Sequence, residues 1–138
     1  MPRIKLKLPK IYHFETTLLL RIYDMNYGAH MGNDSVLSII HEARVRFFKS
    51  LGQQEKDFYG FSLLMVDSAI VYKKEAFYGD KLDIKISVTE FYNFGFELFY
   101  LLKCNNDEIA RVKTGMVCFN RIINKINRVP DIFINSFS

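Results

Sequence analysis

The sequence predicts an α+β fold, a curved antiparallel sheet wrapped around one long central helix. Three observations predict it. Only one segment carries a strong helical period. A later segment alternates strictly between apolar and polar residues. The helix is preceded by one strand-like run and followed by several, so the sheet must be assembled around it.

Residues 1 to 13 read as an irregular arm punctuated by Pro2 and Pro9. From Phe14 to Tyr23 the chain is β-branched and apolar with few breakers, which predicts a strand. Asp24 to Asn33 holds two Gly and two Asn among polar neighbours and predicts a loop. The period then changes. Val36, Ile40, Ala43, Phe47 and Leu51 recur at helical spacing, and Ile39 and Phe48 widen the stripe. This predicts a helix over roughly residues 34 to 51. Asn33 or Asp34 is expected to cap its start, Gly52 to stop it, and Glu42 to pair with Arg46 one turn on.

Strand signals follow. Phe61 to Glu75 is a long β-rich run. Leu82, Ile84, Ile86 and Val88 alternate with Asp83, Lys85, Ser87 and Thr89, the pattern of a strand with one face buried. Turns are expected at Tyr78–Asp80, Asn93–Gly95 and Asn105–Asp107. They frame strands at 96–104 and 109–121. In the last, Val112, Thr114, Met116 and Cys118 share one face. Pro130 interrupts the C-terminal stretch, where Asp131 to Ile134 suits a short helical turn. An edge strand left open in such a sheet invites pairing with its copy, so a homodimer or a dimer of dimers is expected.

The length of 138 residues suits a single domain over 1–138. The 13 Phe and 8 Tyr supply a core and suit a pocket for an apolar group. A formal charge of +4 is compatible with an anionic ligand. Without a zinc-finger spacing, a basic helix or an RNA-binding aromatic signature, no nucleic-acid partner is expected. Cys104 and Cys118 sit in apolar stretches without metal or redox spacing, which predicts buried free thiols and a reducing compartment. The basic start lacks the apolar stretch of a signal peptide, and no apolar run approaches the ~18 residues of a membrane span. Cytoplasmic localisation without membrane association is the expectation.

The run Arg21-Ile22-Tyr23-Asp24-Met25-Asn26-Tyr27-Gly28-Ala29-His30-Met31-Gly32-Asn33 carries a resemblance. It resembles the signature of the 4-hydroxybenzoyl-CoA thioesterase-like superfamily. There a strand ends in Arg and Asp-x-Asp, and a Gly-His-Val-Asn-Asn loop enters the central helix. His41-Glu42-Ala43-Arg44 is similar to the family's Glu-Ala-Arg, and Gly79-Asp80 to its Gly-Asp turn. The resemblance covers about residues 14 to 120. It implies a hotdog fold, with the helix as the sausage and the sheet as the bun. It also implies hydrolysis of an acyl-CoA or acyl-carrier-protein thioester to free acid and thiol, with coenzyme A entering as part of the substrate and no separate cofactor. The second Asp of the family's Asp-x-Asp, its base or nucleophile, matches Asn26, and the family's Asn-Asn pair reads Gly32-Asn33.

Thioester hydrolysis needs donors for the developing oxyanion, a base or nucleophile, and a hold on the substrate. The amides near Met31 to Asp34 at the helix start are the expected oxyanion donors. His30 is the candidate imidazole. Asn26 can orient a carbonyl or water but cannot take a proton as a base. Asp34 and Glu42 are candidate replacement carboxylates, though Asp34 also reads as a cap and Glu42 as a partner of Arg46. Asp24 matches the first Asp of the family's pair, which the resemblance implies is structural. Tyr27, Gly28, Met31, Gly32 and Asn33 are expected to line the substrate. Lys73, Lys74, Arg111, Lys113 and Arg121 are candidates for the phosphates of coenzyme A or for simple solvated charges. No Gly-x-Ser-x-Gly elbow, metal-ligand spacing or phosphate-binding Gly loop occurs, so a serine-hydrolase mechanism and a metal are not expected. Because of Asn26, a non-hydrolytic thioester-binding protein is the main alternative. A dehydratase or isomerase acting on acyl chains is the third reading.

Overall fold

A computed structural model describes residues 3–138. The chain forms β1 (Phe14–Leu19), a 3-10 turn at Ile22–Asp24 and α1 (Ser35–Ser50). Then come β2 (Ser62–Tyr72), β3 (Lys81–Phe91), β4 (Gly95–Cys104), β5 (Asp107–Asn120), β6 (Lys125–Ile126) and α2 (Asp131–Phe137). The main sheet runs β1-β3-β4-β5-β2 with antiparallel neighbours, and β6 adds to β5. β2 follows α1 in the chain yet lies at the far edge. The α1 connection must therefore cross the sheet, which is the hotdog arrangement.

The predicted alternation sets the inner face. Leu82, Ile84, Ile86 and Val88 of β3 are buried, as are Phe96, Leu98, Tyr100 and Leu102 of β4 and Val112, Thr114, Met116 and Cys118 of β5. Against them α1 lays Val36, Ile40, Ala43 and Phe47, all buried. An aromatic cluster closes the end of the core beside the C-terminus of α1. There Phe133 of α2 packs with ring centroids 4.6 Å from Phe96 and 4.9 Å from Phe58. Burying one such ring stabilises the fold by about 1.5–3 kcal/mol.

α1 stops as expected. Gly52 adopts φ +73°, its N–H bonds the Lys49 carbonyl, and the Gln53 N–H reaches back to the Phe48 carbonyl. These are the two bonds of a Schellman cap, whose left-handed residue favours glycine. The start differs from expectation. Asp34 has helical backbone angles and its side chain makes no capping bond. The turn is held instead by the Ser35 N–H on the Gly32 carbonyl.

The strand predicted from Phe14 to Tyr23 ends at Leu19. The Arg21 N–H donates to the Asp24 carboxylate at 2.7 Å, and this short-range bond curls Ile22–Asp24 into a 3-10 turn. After α1 come five strands rather than four, because Lys125–Ile126 fold back on β5. The C-terminal helical turn expected from Asp131 to Ile134 extends to Phe137.

Arg44 is the one cation buried on the inner face of α1. Its Nε pairs with Glu55, its Nη1 donates to the Tyr100 hydroxyl at 3.2 Å, and that hydroxyl shares a hydrogen with Thr114 at 2.8 Å. A buried charge is tolerable only when paired and hydrogen-bonded. The network also ties the segment after α1 to the helix.

Candidate active site

Two loop segments meet at the start of α1. The Met31 N–H donates to the Ala76 carbonyl at 2.7 Å, the Gly79 N–H to the Leu20 carbonyl at 3.0 Å and the Leu20 N–H to the Asp80 carbonyl at 2.9 Å. These bonds join the loop after β1 to the loop after β2. The Tyr72 hydroxyl adds a bond to the Asn33 carbonyl at 3.2 Å. Asp24 is buried and lies beneath the first loop, where its carbonyl accepts the Gly32 N–H at 2.9 Å. Its structural reading fits these contacts.

Asn26 organises the loop that carries His30. Its Oδ1 accepts the N–H of Gly28 at 2.9 Å and of His30 at 3.3 Å. Those two donors fix the orientation of the amide, so Nδ2 faces the His30 Nε2 at 3.4 Å. The other ring nitrogen, Nδ1, lies 3.1 Å from the Met31 carbonyl, which can only accept. Nδ1 therefore carries the hydrogen in the neutral ring, and Nε2 presents the lone pair. Glu75 Oε1 stands 3.7 Å from that same Nε2. The His30 side chain is 28% exposed and that of Glu75 63%, so both are reachable from solvent.

Gly32 brings the helix start against this group. A Cβ placed there would stand 2.5 Å from Asp34 Oδ1, 3.4 Å from the Asn26 Cβ and 3.5 Å from Ser35 Oγ. The sequence placed oxyanion donors near Met31 to Asp34. The structure narrows the set, because Met31 and Gly32 spend their N–H groups on Ala76 and Asp24. The amides of Asn33 and Asp34 make no bond among the described residues. They lie at the positive end of α1, where a developing negative charge is stabilised.

Asn26, Gly28, His30, Met31, Gly32, Asn33 and Asp34 thus form one locality, with Tyr27 exposed at its rim. Glu42 is placed elsewhere. It bonds Arg46 at 2.9 Å, and Arg46 donates to Thr16 Oγ1 at 2.8 Å and to the Thr17 carbonyl at 2.9 Å. Glu42 therefore stands on the β1 side of the helix as part of a clasp. Glu75 was absent from the candidates drawn from sequence. The signal that finds it is spatial, the Met31–Ala76 bond next to it.

Four of the cations proposed for phosphate contacts have protein partners. Lys74 pairs with Asp107 at 3.2 Å, Arg111 with Glu108 at 2.6 Å and Lys113 with Asp67 at 2.8 Å, while Arg121 donates to Ser62 at 2.8 Å. Among the described residues no cluster of His, Cys, Asp or Glu is arranged to hold a metal ion, and no helix is long and apolar enough to cross a membrane.

Comparison with known proteins agrees with this fold. The thioesterase-like superfamily profile matches residues 20–137. Slr0204 of Synechocystis, a 1,4-dihydroxy-2-naphthoyl-CoA thioesterase, superposes with a TM-score of 0.80 at 20% identity, over 89% of this chain and 93% of that one. SAV2348 of Staphylococcus aureus, solved in complex with CoA, gives 0.79 at 16% identity, over 94% and 84%. A hypothetical protein, AQ1494 of Aquifex aeolicus, gives 0.83 at 19% identity, over 91% and 100%. At these identities the structural likeness establishes the fold. A comparison with curated protein sequences returned no match.

The fold and the family profile together define a hotdog-fold thioester hydrolase. The chain belongs to the thioesterase-like superfamily.

Proposed function

We propose that the chain hydrolyses a coenzyme A or carrier-protein thioester at the loop from Asn26 to Asn33, with a second copy of the chain paired along β2. The observation that carries the reading is the meeting of a tautomer-defined His30 with two uncommitted amides at the start of α1. His30 Nε2 and Asn26 orient water or the thioester, and the amides of Asn33 and Asp34 receive the carbonyl oxygen as it becomes negative. Tyr27, Gly28, Met31 and Gly32 form the surface on which the acyl carbon rests. Hydrolysis transfers no electrons, so coenzyme A enters only as part of the substrate.

The two edges of the sheet differ in a way that favours one mode of pairing. At β1 the Arg46 guanidinium already covers the Thr17 carbonyl. At β2 the Glu55 carbonyl takes the Leu63 N–H, and beyond that point Leu64, Met65 and Val66 are exposed. Leu37, His41 and Val45 recur every four residues along α1 and are exposed as well. An open apolar edge of this kind pairs with its copy. A dimer of dimers is built from the same unit.

The test is release of free thiol from short, long and aromatic acyl-CoA esters, with the same acyl groups on carrier protein in parallel. Turnover above background in one class supports hydrolysis and names the carrier. Binding of the esters without turnover on any of them contradicts it. Sedimentation at the dimer mass or a multiple of it supports the pairing, and a monomer at micromolar concentration contradicts it.

A further inference from the structure

The hydrolysis needs a base, and Asn26 cannot be one. One carboxylate faces His30 Nε2, that of Glu75 at 3.7 Å. Its position is built. Glu75 precedes Ala76, a fully buried residue whose carbonyl holds the Met31 N–H at 2.7 Å, one residue from His30. The loop is pinned again at Gly79 and Asp80 through Leu20. The neighbouring Lys74 is engaged with Asp107, which leaves the Glu75 carboxylate to the imidazole.

The separation of 3.7 Å exceeds the hydrogen-bond range of about 2.7–3.2 Å, and it suits two acceptors that share one water. The Asn26 bond to Nε2 is long at 3.4 Å, so that nitrogen can still receive a closer donor. A water placed there directs one hydrogen to Glu75 and the other to His30, with a lone pair free for the acyl carbon.

We propose that Glu75 is the general base of this thioesterase, supplying the carboxylate that position 26 lacks. The inference rests on the thioesterase reading above. In the step it assigns, the water oxygen bonds the acyl carbon while its proton passes to Glu75, and the oxyanion faces the amides of Asn33 and Asp34. Collapse of the tetrahedral intermediate breaks the carbon–sulfur bond and leaves the electron pair on sulfur. Glu75 then returns its proton to the thiolate. Thioester and water become acid and thiol, and the carboxylate is restored.

The experiment compares wild type, Glu75→Gln, Glu75→Asp and the double variant Asn26→Asp with Glu75→Gln. The assay is thiol release from the acyl-CoA ester that wild type turns over best. Loss of a general base costs ~10²–10⁴-fold, so kcat of Glu75→Gln is expected to fall by at least ~100-fold with KM little changed. Glu75→Asp keeps the carboxylate but sets it back, and is expected to lie between the two. The double variant puts a carboxylate on the Asn26 side of His30 and is expected to recover part of the loss. Glu75 is mostly exposed and stands beyond direct hydrogen-bond distance of His30, so all variants are expected to melt as wild type does. An active wild type with an equally active Glu75→Gln overturns the Glu75 assignment alone. A wild type without turnover overturns the thioesterase reading and this inference with it.

Discussion

His30 donates its Nδ1 hydrogen to the carbonyl of Met31, 3.1 Å away. That contact selects the tautomer and points the basic nitrogen, Nε2, at Asn26 and Glu75. His30→Gln removes the basic nitrogen while keeping a polar side chain. The expected outcome is a fall in kcat of ~10²–10³-fold with KM changed by a few fold at most. Steady-state thiol release checks the first part, and a circular-dichroism melt close to that of wild type shows the fold intact.

Glu42 belongs to the clasp between α1 and β1. Glu42→Gln is therefore expected to leave kcat within a factor of about two, since surface changes away from the chemistry are close to neutral. Arg46→Ala removes the bonds to Thr16 and Thr17 and is expected to cost about 1–2 kcal/mol of stability, with kcat unchanged. Urea unfolding and the activity assay on the same samples separate the two effects. A large loss of kcat in Glu42→Gln contradicts the placement of that residue.

Acid lability is expected at His13. Its Nδ1 accepts the Val88 N–H at 3.0 Å, and its ring edge meets Phe137 with centroids 5.1 Å apart. Burial holds the His13 imidazole below its ordinary value. The unfolded chain therefore takes up a proton more readily than the folded one. The contribution is fully present above the unfolded value of about 6.5 and is lost as pH falls from there through the folded value. Melting temperatures at pH 8 and pH 5 are expected to differ, and His13→Gln is expected to narrow the gap.

Both thiols are expected to be inert in the native protein. Burial pushes the Cys118 thiol up to about 12, and it raises Cys104 as well, with Asp80 adding to the effect. The thiolate is the reactive form, and little of it is present at pH 8. Iodoacetamide at pH 8 is expected to leave both residues unmodified in native protein and to label both in denaturant, as read by intact mass.

Local periodicity made much of the fold legible. The stripe from Val36 to Leu51 and the alternation from Leu82 to Val88 report burial on one face of a single element, and both elements lie where their patterns placed them. The early end of β1 was hidden because Ile22 and Tyr23 are good strand residues. What turns the chain there is the Asp24 carboxylate on the Arg21 N–H. β6 is two residues long and too short to show a period. At the site, His30, Asn26 and the helix start were legible from the loop residues and the family resemblance. The clasp of Glu42 and Arg46 on β1 was not legible, because a residue type on a helix does not say which neighbour its face meets. Glu75 was invisible because it lies far from His30 in sequence and reaches it only through the Met31–Ala76 bond.

The most direct measurement is thiol release from a panel of acyl-CoA and acyl-carrier-protein esters by wild type and His30→Gln side by side. Hydrolysis at the His30 loop predicts that wild type turns over at least one class well above background and that His30→Gln loses ~100-fold or more of that kcat. Equal rates for the two proteins, or no turnover of any ester that binds, would contradict it.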